Sequence, residues 1–195
     1  SVVQINYPVT NKSCTGVFIN NASYDLNKQY LISGLHCFEE ENSSYPALGE
    51  TISLNFKFNY ETSFCGQGIP DDIPDWDTLS STVKVKENDT DFILFEVIDQ
   101  VPNNSNIYYS GWSIENTDPE NDLFIIHHPI PEQAPLNTDF KRISLSETGA
   151  VTASYPGSSY PPFTMWEVVL DLTNDGWITF GSSGSPLFNE NKLVI

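Results

Sequence analysis

The chain has 195 residues, enough for one good core or for two small barrels sharing an interface. Its formal charge is −18 with only eight Lys plus Arg, which leaves no basic face for phosphate contact and argues against nucleic acid as a partner. There is no internal repeat, no apolar run long enough for a membrane-spanning helix and no signal peptide, as expected of a mature or trimmed chain without membrane insertion.

The first predicted strand runs from Cys14 to Asn20 (CTGVFIN). A polar connection over residues 20–28 has hairpin character and leads into Gln29-Tyr30-Leu31-Ile32-Ser33-Gly34-Leu35-His36-Cys37. Such a hairpin brings Cys14 and Cys37 within bonding reach and pins His36 at a strand end. Taken alone, His36 and Cys37 read equally well as a core histidine beside a buried free cysteine. Leu54–Phe58 and Val83–Val85 are the next predicted strands, with a Pro- and Asp-rich loop from Gly66 to Asp77 between them. Asp91 then heads the strand Phe92–Val97. An aspartate before a strand is most often a turn residue. Residues 101–106 (VPNNSN) form a polar break and a candidate linker. Beyond it, Leu123–Ile126, Val151–Ala153 and Trp166–Leu170 read as strands, and Glu115–Asp122 and Ser154–Phe163 as surface loops. Many short strands without helical periodicity predict an all-β sandwich or barrel.

Near the end, Phe180-Gly181-Ser182-Ser183-Gly184-Ser185-Pro186 places a serine between glycines just before an apolar segment. A serine nucleophile needs a general base within hydrogen-bond reach and backbone N–H donors aimed at the oxyanion. Gly181 and Gly184 permit a tight turn that presents such donors, although Gly-Ser clusters are usually plain loops. Order adds weight: His36, Asp91, Ser183 is the chain order of chymotrypsin-type triads, distinct from the subtilisin and α/β-hydrolase orders.

With these residues in view, the chain resembles the trypsin-fold serine proteases, and within them the bacterial lysyl endopeptidases. The matching pieces are Cys14-Thr15-Gly16 through His36-Cys37; Asn59-Tyr60 with Cys65; Ser81–Lys84 before Asp91-Phe92; Gly111-Trp112; His127-His128-Pro129 followed by Lys141-Arg142-Ile143-Ser144; and Gly181–Pro186. The resemblance implies two Greek-key β-barrels, residues 1–100 carrying His36 and Asp91 and residues 101–195 carrying Ser183, with the second barrel stopping short of its last strands. It implies a Cys14–Cys37 disulfide, hence an oxidising, secreted or extracellular location, the bacterial periplasm and cell surface included. It implies hydrolysis of protein or peptide substrates with no cofactor and no metal: His36 as general base, Asp91 orienting it, Ser183 as nucleophile, and the Gly181 and Ser183 N–H groups as oxyanion hole. Trp177 and Phe180 fall at the substrate pocket, and cleavage after lysine is the family's preference.

Three departures qualify this. Ser182 stands where digestive trypsin-like enzymes carry an aspartate that pairs with the amino group freed on activation. Cys65 would find its partner upstream of residue 1, and Lys192–Ile195 falls mid-barrel, so the chain is expected to be part of a larger polypeptide. The acid that would select lysine is not in sight, and Trp177 offers no negative charge. His127-His128 has no third ligand at a metal-site spacing and reads as structural. A non-catalytic trypsin-fold binding or adhesin module is the competing reading.

Overall fold

The computed structural model describes residues 1–23, 25, 27–61, 63, 73–114, 123–129, 142–146, 150–153, 165–168 and 178–195. Its described elements are β-strands and short 3-10 turns, with no α-helix among them. Six strands close a barrel in the order β1-β2-β3-β6-β5-β4: β1 (Val2–Tyr7), β2 (Lys12–Ile19), β3 (Gln29–Gly34), β4 (Thr51–Lys57), β5 (Asp77–Glu87) and β6 (Phe92–Val97). Every pairing in the barrel is antiparallel. Closure removes the unpaired edges that an open six-stranded sheet would expose.

Alternation explains most of these strands. In β6, Ile93, Phe95 and Val97 point into the barrel and are buried, while Phe92, Leu94 and Glu96 are half-buried on the other face. In β5, Leu79, Ser81 and Val83 face inward until a bulge between Val83 and Val85 shifts the register and leaves Val85 exposed. The predicted Val83–Val85 segment is therefore the bulged part of a strand of 11 residues. The barrel is filled largely by rings: Phe18, Phe38, Phe56 and Phe95 are fully buried, with Phe38 edge-on to Phe95 at 4.9 Å and Phe56 stacked on Phe58 at 5.7 Å. Each such ring contributes about 1.5–3 kcal/mol of hydrophobic stabilisation.

Cys14 and Cys37 are disulfide-bonded, with Cα atoms 6.2 Å apart and a sequence separation of 23. The bond ties β2 to the 3-10 turn Leu35–Phe38 that follows β3. By loop entropy a closure of this size is worth about 3 kcal/mol.

The second half of the chain contributes a three-stranded sheet, β11-β7-β8, from β7 (Leu123–His127), β8 (Arg142–Ser146) and β11 (Leu187–Phe188). A separate pair joins β9 (Ala150–Ala153) to β10 (Met165–Val168). A second apolar cluster joins the halves: Val2, Val17 and Ile19 on the outer face of the barrel pack with Phe188, which stacks on Phe124 at 4.9 Å. This contact buries Val2, while Val3, Ile5 and Tyr7 of β1 belong to the barrel core. The linker expected at residues 101–106 holds a short 3-10 turn, Asn103–Ser105, with Val101 and Ser105 buried. Cys65, Trp177 and the loops predicted at Glu115–Asp122 and Ser154–Phe163 lie outside the described residues, as does most of Gly66–Asp77.

Candidate active site

Strand register brings His36 and Asp91 together. Gly34, the last residue of β3, pairs with Phe92, the first of β6. The residues just past each end must then meet, and the Leu35 N–H donates to the Asp91 carbonyl at 2.9 Å. Asp91 sits at φ 51, a left-handed conformation that aspartate tolerates better than most residues. Its carboxylate accepts twice from one residue: the His36 backbone N–H at 2.8 Å to Oδ1, and the imidazole Nδ1 at 2.5 Å from Oδ2. Asp91 is mostly sheltered while the imidazole is half-exposed. The ring lies over Gly34, where an added Cβ would stand 3.1 Å from His36 Cε1.

This geometry fixes one face of the imidazole. With Nδ1 held by a carboxylate, the Nε2 edge is the one left to exchange a proton. The same carboxylate stabilises an imidazolium when it forms. Nearby, burial and then the charges of Glu39 and Asp91 raise the Tyr45 phenol above its usual range.

The loop around Ser183 is seated on the first barrel by Thr15 of β2. Thr15 is fully buried. Its backbone N–H donates to the Ser183 carbonyl at 2.8 Å, and its hydroxyl donates to the Gly181 carbonyl at 2.8 Å while accepting from the His128 N–H at 3.0 Å. Gly184 then packs against Gly34: a Cβ there would lie 2.5 Å from the Thr15 carbonyl and 2.7 Å from the Gly34 nitrogen. Ser183 is thus delivered beside the strand end that carries His36.

Gly181 and Gly184 have φ of 89 and 78, the turn conformation their type allows. Among the described residues, neither the Gly181 nor the Ser183 N–H donates a hydrogen bond, so both remain available to an oxyanion. The Ser183 hydroxyl and His36 Nε2 are not hydrogen-bonded to each other; Nε2 meets Cys37 Sγ at 4.0 Å. Catalytic hydrogen bonds are often long before substrate binds. Phe180 lies at the surface, 69% exposed, at the entrance to the loop.

Cys14, His36 and Cys37 gather their ligand atoms within 4.8 Å, but both sulfurs are used by the disulfide. The two other histidines, His127 and His128, are buried. His127 Nδ1 meets the Ser182 hydroxyl at 2.7 Å, and His128 stacks on Tyr60 at 6.1 Å. The roles of Thr15 and His127 escaped the sequence reading. Thr15 flanks a matched cysteine, and Ser182 at a position usually acidic was the one hint of an unusual partner.

Known proteins resemble the chain in family and in fold. The profile of the family "Lysyl endopeptidase, C-terminal domain" matches residues 1–195. Among solved structures, the active form of the Rv3671c protease from M. tuberculosis superposes with a TM-score of 0.54 at 15% identity, covering 100% of this chain and 67% of that one. Deg5 gives 0.53 at 11% identity, covering 100% and 77%. The MamO protease domain from Magnetospirillum magneticum gives 0.51 at 13%, covering 100% and 80%. At such identities the structural matches speak to fold, and the profile speaks to family. The chain belongs to the lysyl endopeptidase C-terminal domain family and has the fold of the trypsin-like serine proteases.

Proposed function

We propose that this protein is a serine endopeptidase in which Ser183 attacks the scissile carbonyl, His36 takes and returns the proton, and Asp91 orients and stabilises the imidazole. The observation that carries the reading is the doubly bonded His36–Asp91 pair beside the loop that presents Ser183. In the first step the Ser183 Oγ–H proton passes to His36 Nε2 as the Oγ–C bond forms, and the Gly181 and Ser183 N–H groups receive the oxyanion. Collapse expels the amine with the proton from Nε2, leaving an acyl-enzyme. Water then repeats the sequence and releases the acid.

A fluorophosphonate probe should label the folded protein at Ser183, located by peptide mapping. An unlabelled Ser183 would favour the binding or adhesin module, a reading that draws on the unformed Ser183–His36 bond. The disulfide supports an oxidising compartment, and with it secretion.

Cleavage after lysine follows from the family, and the −18 charge supports it by gathering cationic peptides. A lysine ammonium buried without a carboxylate partner is costly, so the pocket must supply an acid. Profiling on a peptide library should return lysine at the position before the cut. Cleavage mainly after aromatic or small residues would overturn the lysine preference and leave the triad standing.

A further inference from the structure

Ser182 is the most firmly held residue of the nucleophile loop. It is buried, and each of its polar groups is engaged. Its N–H donates to the Thr179 carbonyl at 3.0 Å, and its carbonyl accepts from the Ser185 N–H at 3.1 Å and from the Ser185 hydroxyl. Its own hydroxyl accepts from the Thr179 N–H at 3.3 Å and meets His127 Nδ1 at 2.7 Å. The residues on either side of this pivot, Gly181 and Ser183, carry the N–H groups assigned to the oxyanion.

His127 is fully buried at the end of β7. That strand is the middle one of its sheet, paired to β8 through His127 and Arg142 and to β11 through Phe124 and Phe188. Because β11 begins directly after the loop, β7 holds the loop twice: through the ladder beyond it and through His127 within it. Where an aspartate at the Ser182 position would need a cation, a neutral hydroxyl needs only a neutral donor–acceptor, and imidazole is one.

We propose that His127 is a positioning residue for the reaction, acting through Ser182 to hold the Gly181 and Ser183 N–H groups at oxyanion geometry. The proposal rests on the serine-peptidase reading. A missing oxyanion donor costs 10²–10³ in kcat, and a displacement of about 1 Å costs on the order of 10². His127→Phe and Ser182→Ala should therefore each lower kcat about 100-fold with KM little changed, and slow fluorophosphonate labelling of Ser183 in parallel. His127→Asn, whose amide reaches the place of Nδ1, should recover most of the rate.

The test measures labelling rate, kcat and KM on a peptide ester, with thermal unfolding of each variant alongside. A wild-type protein that resists the probe overturns the peptidase reading and this inference with it. A labelled wild type whose His127→Phe and Ser182→Ala variants react at its own rate overturns the inference alone. So does a loss carried by KM, or one that His127→Asn fails to repair. Should His127→Phe not fold, Ser182→Ala, which removes a single oxygen, decides by the same criteria.

Discussion

Ser183→Ala should reduce peptide hydrolysis by roughly 10⁶-fold, the scale on which losing the nucleophile of a cooperating triad is felt. The fold should survive. The Ser183 carbonyl keeps its bond from the Thr15 N–H, and the side chain that is lost makes no hydrogen bond among the described residues. The His36–Asp91 pair also stays, since it is built from the ends of β3 and β6 without help from Ser183. The measurement is turnover of a peptide ester by the variant and wild type, with circular dichroism to confirm an unchanged fold. Hydrolysis at the wild-type rate would show that another group is the nucleophile.

Gly184→Ala should be among the most destabilising single changes in the chain, by about 4 kcal/mol or more, the range reached only by specific steric or burial faults. Two costs combine. The residue sits at φ 78, where a non-glycine residue is disfavoured by about 1–2 kcal/mol. The added methyl would also meet the Thr15 carbonyl at 2.5 Å and the Gly34 nitrogen at 2.7 Å, with Ser33 Oγ nearer still. Two of those three atoms are backbone, so no rotamer change relieves the contact. Relief would require the nucleophile loop to lift off β2 and β3, separating Ser183 from His36, so activity should fall with stability. Urea unfolding decides it: a loss under about 1 kcal/mol would mean the loop does not pack as described.

The candidate site and the strands around it show what a sequence can and cannot disclose. His36 and Asp91 were legible because each sits at the end of an apolar strand, and an antiparallel pairing joins such ends without further information. The turn around Ser183 was legible because Gly181 and Gly184 announce one, and both have positive φ. β1 was not predicted, although Val3, Ile5 and Tyr7 alternate with Gln4 and Asn6 as the two faces of a strand do; the structure buries the polar face as well. The Asn6 amide makes its bonds to Asn11, Lys12 and Ser13 only once the β1–β2 hairpin has formed. The length of β5 was hidden by its bulge, which breaks the alternation at Lys84. Thr15 and His127 were beyond reach for a different reason. Their partners lie 166 and 55 residues away, and nothing local in either segment signals the meeting.

Thr15 also makes the two ends of the chain interdependent. It belongs to β2 of the first barrel, yet it supplies bonds to the carbonyls of both Gly181 and Ser183 in the last part of the chain. A chain whose second half has collapsed early, but whose β2 is not yet seated, holds a Ser183 with neither a fixed backbone nor a neighbouring imidazole. Under the proposed mechanism a competent site therefore exists only where both ends of the chain are in place.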